Sequence, residues 1–128
     1  MHTSINDYDL AAITNEVNEW KKHNKYGDYD ISGKASGVVV LALENIAAGD
    51  GSIMIFEIHK VSRKGLLRRK TGWIVQLYSK SAPKSEPTRH GCVSGSTLVG
   101  AIHQAHLDVK HGFMSVADFD LSVGAFLE

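Results

Sequence analysis

Cys92 follows His90 by two residues and precedes a segment of helical periodicity. A thiol near a helix N-terminus has a depressed pKa, and His59 or His90 as its base would make a thiol hydrolase. The catalytic candidates are therefore Cys92, His59 and His90. Against them stands the commoner use of a lone cysteine as a small buried filler, with no orienting Asn or Asp at a recognisable place.

The same stretch, RHGCVSGSTLVG, sets Arg89, Gly91, Gly95 and Ser96 just ahead of that helix. Free backbone amides and the positive dipole end favour an anion there. It is not a P-loop, because Ser96 stands where the lysine would follow the second glycine. An N-cap by Ser94 or Ser96 is the plainer reading. Farther along, His103 and His106 lie about 60° apart on a helix. With His111 beyond and His90 and Cys92 upstream, they are the metal candidates. Glu57, His59, Gln76 and Tyr78 alternate onto one strand face, a polar cluster that reads as a secondary binding surface.

The largest signal is electrostatic. From Ile58 to Ser85 the chain carries Lys60, Arg63, Lys64, Arg68, Arg69, Lys70, Lys80 and Lys84 and no carboxylate. Since there are 14 Lys/Arg and 14 Asp/Glu in all, the remaining residues hold 6 basic against 14 acidic groups, a balance of −8. The net charge of zero conceals a sorted sequence that suits an anionic partner. Five of these cations crowd the loop SRKGLLRRKTG, where they repel one another unless solvent, salt or a partner separates them. Leu66 and Leu67 at its tip would fold back or enter a partner.

These residues need elements to position them. Leu10, Ile13, Val17 and Trp20 recur at helical spacing, so a helix starts near Asn6 or Asp7 and ends before Gly27. Asp7 and Asp9 open it and Lys21, Lys22 and Lys25 follow it, as its dipole favours. The segment from Tyr26 to Ser36 reads as loop. Gly37 to Ile46, Ser52 to Ser62 and Trp73 to Ser79 read as three strands of an antiparallel meander. The first is apolar at nearly every position, as a strand covered on both faces would be. Leu98, Ile102, Ala105 and Val109 mark a helix from about Gly95 to Lys110, and a short last helix is expected from Val116. The expected fold is one α+β domain over residues 1–128: an N-terminal helix, a three-stranded antiparallel meander and one or two C-terminal helices. In that layout the basic residues of the first helix's end, the hairpin turn and the later helix's end collect at one pole.

With 128 residues, 43% hydrophobic and 22% charged, the chain can bury one core unaided. The lone cysteine makes no internal disulfide, no apolar run approaches the roughly 20 residues of a membrane span, and a cytoplasmic location is expected. The order from Val38 to Val109, three strands, glycine-containing loop and helix, resembles the central part of the acetyl-coenzyme-A-dependent N-acetyltransferase family. In that family an Arg/Gln-x-x-Gly-x-Gly/Ala loop holds the cofactor's pyrophosphate; Arg89, Gly91 and Gly95 are spaced differently. The helix–meander–helix outline is also similar to double-stranded-RNA-binding domains, without their Lys-Lys-x-Ala-Lys run.

The resulting expectation is a small, non-enzymatic binding protein of the regulator or inhibitor type, with no cofactor and no membrane. Its contact is the basic hairpin, Arg63, Lys64, Leu66, Leu67, Arg68, Arg69 and Lys70. The partner is a protein or nucleoprotein complex with an acidic surface, such as a bacterial defence complex. A nucleic-acid-binding module is one alternative. A small enzyme using either the phosphate- or acyl-CoA-binding segment 89–97 or the Cys92 nucleophile is the other.

Overall fold

The computed structural model describes residues 3–48, 51–64, 69–82 and 84–111. The first helix, α1, spans Asp7–His23. It starts where Asn6 and Asp9 cap each other: the Asn6 side chain accepts from the Asp9 amide at 2.9 Å, and the Asp9 carboxylate accepts from the Asn6 amide at 3.1 Å. Ile13, Val17 and Trp20 form its buried stripe. At its end the Asn24 side-chain amide donates to the Trp20 carbonyl at 2.8 Å, satisfying one of the orphan acceptors.

Five strands follow, not three: β1 Tyr26–Ala35, β2 Val38–Asn45, β3 Ile53–Lys64, β4 Arg69–Lys80 and β5 Thr88–Gly95. They lie in one sheet in chain order, every neighbouring pair antiparallel. A single 3₁₀ turn, Ile46–Ala48, leaves β2, and the second helix, α2, spans Leu98–His111. The helix expected from Val116 lies outside the described residues. The α+β class holds, while the three-stranded layout is corrected at both sheet edges.

Both misread strands are edge strands, and that is why their sequences misled. In β1 the alternation is real but short: Tyr29 and Ile31 pack against the core while Asp28 and Asp30 are exposed. Two glycines and the charges gave it the composition of a loop, which an edge strand with one wet face tolerates. In β5, read as an anion-binding loop, Cys92 and Val93 are buried. Its glycine-rich start contains a bulge between the pairs Leu77↔Gly91 and Tyr78↔Arg89, and Gly91 at φ 140° supplies the backbone conformation that a side chain would strain. A two-residue turn, Ser36–Gly37, joins β1 to β2 with Gly37 at φ 74°.

The core lies between one sheet face and the two helices. Leu41, Leu43, Met54, Phe56, Ile58, Trp73, Val75, Leu77 and Val93 meet Ile13, Val17 and Trp20 of α1 and Leu98, Ile102 and Ala105 of α2. Each fully buried aliphatic or aromatic side chain there contributes roughly 1.5–3 kcal/mol of transfer free energy. Val38, Val61, Ile74 and Cys92 are buried on the opposite face, apart from that core. β2 is therefore apolar on both sides, as its uninterrupted run implied. Among the described residues no helix is long and apolar enough to cross a membrane.

Candidate functional site

β3 and β4 are each 12 residues long and outrun their neighbours. β2 joins β3 at Val38↔His59, with Lys60 N donating to Gly37 O at 2.8 Å, and β5 leaves β4 at Gly95↔Trp73. Beyond those points four pairs continue as a two-stranded ribbon: Val61↔Gly72, Ser62↔Thr71, Arg63↔Lys70 and Lys64↔Arg69. At about 3.4 Å per residue, the ribbon projects roughly 10–14 Å. Much of the expected loop is thus paired strand; Leu66, Leu67 and Arg68 lie outside the described residues.

The register sets like charge opposite like charge in the last two pairs, an arrangement that costs stability. The ribbon base is anchored: Lys60 Nζ contacts Asp9 at 2.8 Å and lies 5.4 Å from the Trp73 ring centroid, and Thr3 N donates to Lys60 O at 2.9 Å. Asp9 thereby neutralises the basic residue nearest the body.

The expected convergence of all basic groups at one pole fails. β1 adds one more reversal between α1 and the meander, so α1 ends beside the start of β1 and the end of β2, at the pole opposite the ribbon. Lys21, Lys22 and Lys25 are there, and Lys110 and His111 close α2 at the same far pole. The acidic N-terminus of α1 stands at the ribbon's pole instead, as its Asp9–Lys60 pair shows. The cationic feature that remains is the ribbon itself.

The polar cluster expected from alternation does form on the face without helices. Glu57, 8% exposed, receives His59 Nε2 at 2.7 Å on one oxygen and Lys34 Nζ at 2.6 Å on the other. These contacts, the His59 hydrogen bond foremost, hold its carboxyl at about 2, below the ordinary 4.5, against the opposing effect of burial. The same carboxylate raises the Lys34 ammonium pKa, first through their hydrogen bond. Tyr78 donates to Gln76 Oε1 at 2.7 Å, and burial pushes its phenol upward. Lys34 was missed by sequence reading because β1 passed for a loop; a lysine two residues beyond the Ser32 position of an alternating strand was the available signal.

The remaining candidates are dispersed. Cys92 is fully buried in mid-strand, opposite Gln76, rather than at a helix N-terminus. His59 belongs to β3, two strands away and roughly 10 Å across the sheet, and is engaged with Glu57. His90 is hydrogen-bonded to the Ser79 hydroxyl, and burial lowers its pKa. Arg89, Gly91 and Gly95 lie along β5, with Ser96 just after it, so they make no cradle around the helix start. Thr97, not Ser94 or Ser96, caps α2, its Oγ1 accepting from Gly100 N at 3.1 Å.

His106 is a packing residue. Its ring stacks on Trp20 at 4.3 Å and 5°, and its Nε2 shares a 2.7 Å hydrogen bond with the Tyr26 hydroxyl. This junction of α1, α2 and β1 was invisible in the sequence, since its three members are contributed by separate elements. His103 is exposed on the rim of a groove between the helices that Glu16 and His23 also line. No group of three or more His, Cys, Asp or Glu suited to a metal ion occurs among the described residues. Compared with protein families, curated proteins and solved structures, the chain matches none.

Proposed function

We propose that the protein is a non-enzymatic binding protein whose contact is the basic ribbon of β3 and β4, directed at an acidic surface of a protein or nucleoprotein complex. The observation that carries this reading is the register: Arg63↔Lys70 and Lys64↔Arg69 lie beyond the edges of β2 and β5, in a stretch of sequence without any carboxylate. Holding four cations on a narrow projection costs folding free energy through repulsion, and an anionic partner offsets that cost on binding. The enzyme readings lack a comparable basis. The thiol is sealed in a strand, and the proposed phosphate loop is a strand too.

The test replaces Arg63, Lys64, Arg69 and Lys70 with serine and compares both proteins in affinity capture from a lysate of the native cell, with circular dichroism to verify the fold. The expected result is a partner retained by the native protein and lost by a variant that remains folded. A folded variant that captures the same partner equally well overturns the proposal.

A further inference from the structure

β1 closes one side of the sheet, and among the described residues its backbone from Gly27 to Ala35 is hydrogen-bonded to β2 alone. An edge in this state is a template for another strand. Between two irregular points of register, Tyr29 to Gly33 pair evenly with β2, so their outward amides and carbonyls keep the spacing that a further strand needs. α1 leaves them accessible. It centres on β3, where Trp20 meets Phe56 and Asp9 meets Lys60, and reaches β1 at the Tyr29 hydroxyl rather than at the outer backbone. The side chains indicate the occupant. Asp28, Asp30, Ser32 and Lys34 are exposed, with both carboxylates before Ile31 and the ammonium after it. Charges on an edge ordinarily deter a foreign strand, but a strand charged in this order is complementary to its own reverse.

We infer that a second copy of this chain docks antiparallel on β1, giving a two-fold dimer with one continuous sheet, five strands from each copy. A two-fold axis at Ile31 sets Asp28 of each copy opposite Lys34 of the other and Asp30 opposite Ser32, while the two Ile31 residues meet. An axis at Asp30 would bring two carboxylates face to face. An axis at Ser32 would pair Asp30 with Lys34 but separate the two Ile31 residues. With the axis at Ile31, Tyr29 lies opposite Gly33, where a Cβ would meet nothing within 4 Å, so the glycine leaves room for the ring. Lys34 already meets Glu57 at 2.6 Å, yet its side chain is 60% exposed and its ammonium has donors left for Asp28. The dimer is independent of what the ribbon binds. Because the copies are antiparallel, their two ribbons project in opposite directions.

Sedimentation equilibrium of the full chain, from micromolar to millimolar concentration, tests this, with circular dichroism to verify each fold. The native protein should show a monomer–dimer equilibrium. D28K turns two attractive pairs into repulsive ones and should weaken the dimer about tenfold, as should S32D, which faces Asp30. S32K adds an ion pair twice over and should tighten the dimer about threefold or more. An equimolar mixture of D28K and K34D should associate more tightly than either variant alone, since each supplies the charge that the other lacks. K34D also takes a partner from Glu57, so S32D and S32K decide the matter if it fails to fold. A native protein that stays monomeric throughout, or a dimer that D28K and S32D leave unchanged, overturns the inference. A dimer loosened by S32K overturns the axis at Ile31.

Discussion

Replacing Glu57 with glutamine tests the electrostatics of the second sheet face directly. The carboxyl is held at about 2 against an ordinary 4.5, so its ionised form is favoured in the folded protein by about 2.5 pH units. At about 1.4 kcal/mol per unit, that corresponds to roughly 3 kcal/mol. Part of it comes from Lys34, whose side chain is 60% exposed and whose contribution is screened by water. About 2 kcal/mol is left for E57Q at pH 7, carried chiefly by the buried contact with His59, whose side chain is 15% exposed. For a chain of 128 residues this is a fall of about 7 °C in Tm. The pH dependence has a definite sign. Between 4.5 and about 2 the unfolded chain takes up a proton that folded Glu57 refuses, so acidification removes this stabilisation. It is complete above pH 4.5, less than half remains at pH 3, and it vanishes below 2. Urea unfolding of both proteins from pH 7 to pH 3 measures the gap. A difference under about 0.5 kcal/mol at pH 7, or one that stays constant down to pH 3, refutes the reasoning.

Other outcomes follow from particular contacts. G91A places a side chain at φ 140° and should cost about 1–3 kcal/mol in chemical denaturation. T97A removes the α2 cap and should cost about 1 kcal/mol, which T97S restores. H106A deletes the stacked ring and the Tyr26 hydrogen bond, with a loss of about 2–3 kcal/mol and a changed Trp20 fluorescence spectrum, whereas Y26F loses only about 1 kcal/mol. Cys92, fully buried, should resist a thiol reagent until the protein unfolds, with reaction tracking the urea transition; rapid labelling of the native protein would contradict its placement.

The helices were legible because their apolar positions recur at a local period, and one buried stripe suffices to mark each. The central strands were legible for a related reason: β2 is apolar throughout, and β3 and β4 alternate with large side chains such as Phe56, Ile58, Trp73 and Val75. The edge strands were not. Their identity depends on pairing with a neighbour, and Gly27, Asp28, Asp30 and Gly33 in β1, or Gly91 and Gly95 in β5, carry little of the hydrophobic signal that betrays a strand. The face shared by Glu57, His59, Gln76 and Tyr78 followed from alternation alone, yet Lys34, which completes it, arrives from the misread strand.

Charge sorting along the chain, the lone cysteine and the amphipathic periods were determined by the sequence itself, since each is a property of composition or near neighbours. Tertiary structure decided where the charges went. One additional strand reverses the direction of everything before it, carrying Lys21, Lys22 and Lys25 to the pole opposite Arg63 and Lys70. Pole assignment depends on the parity of strand reversals, a global count that no local pattern encodes.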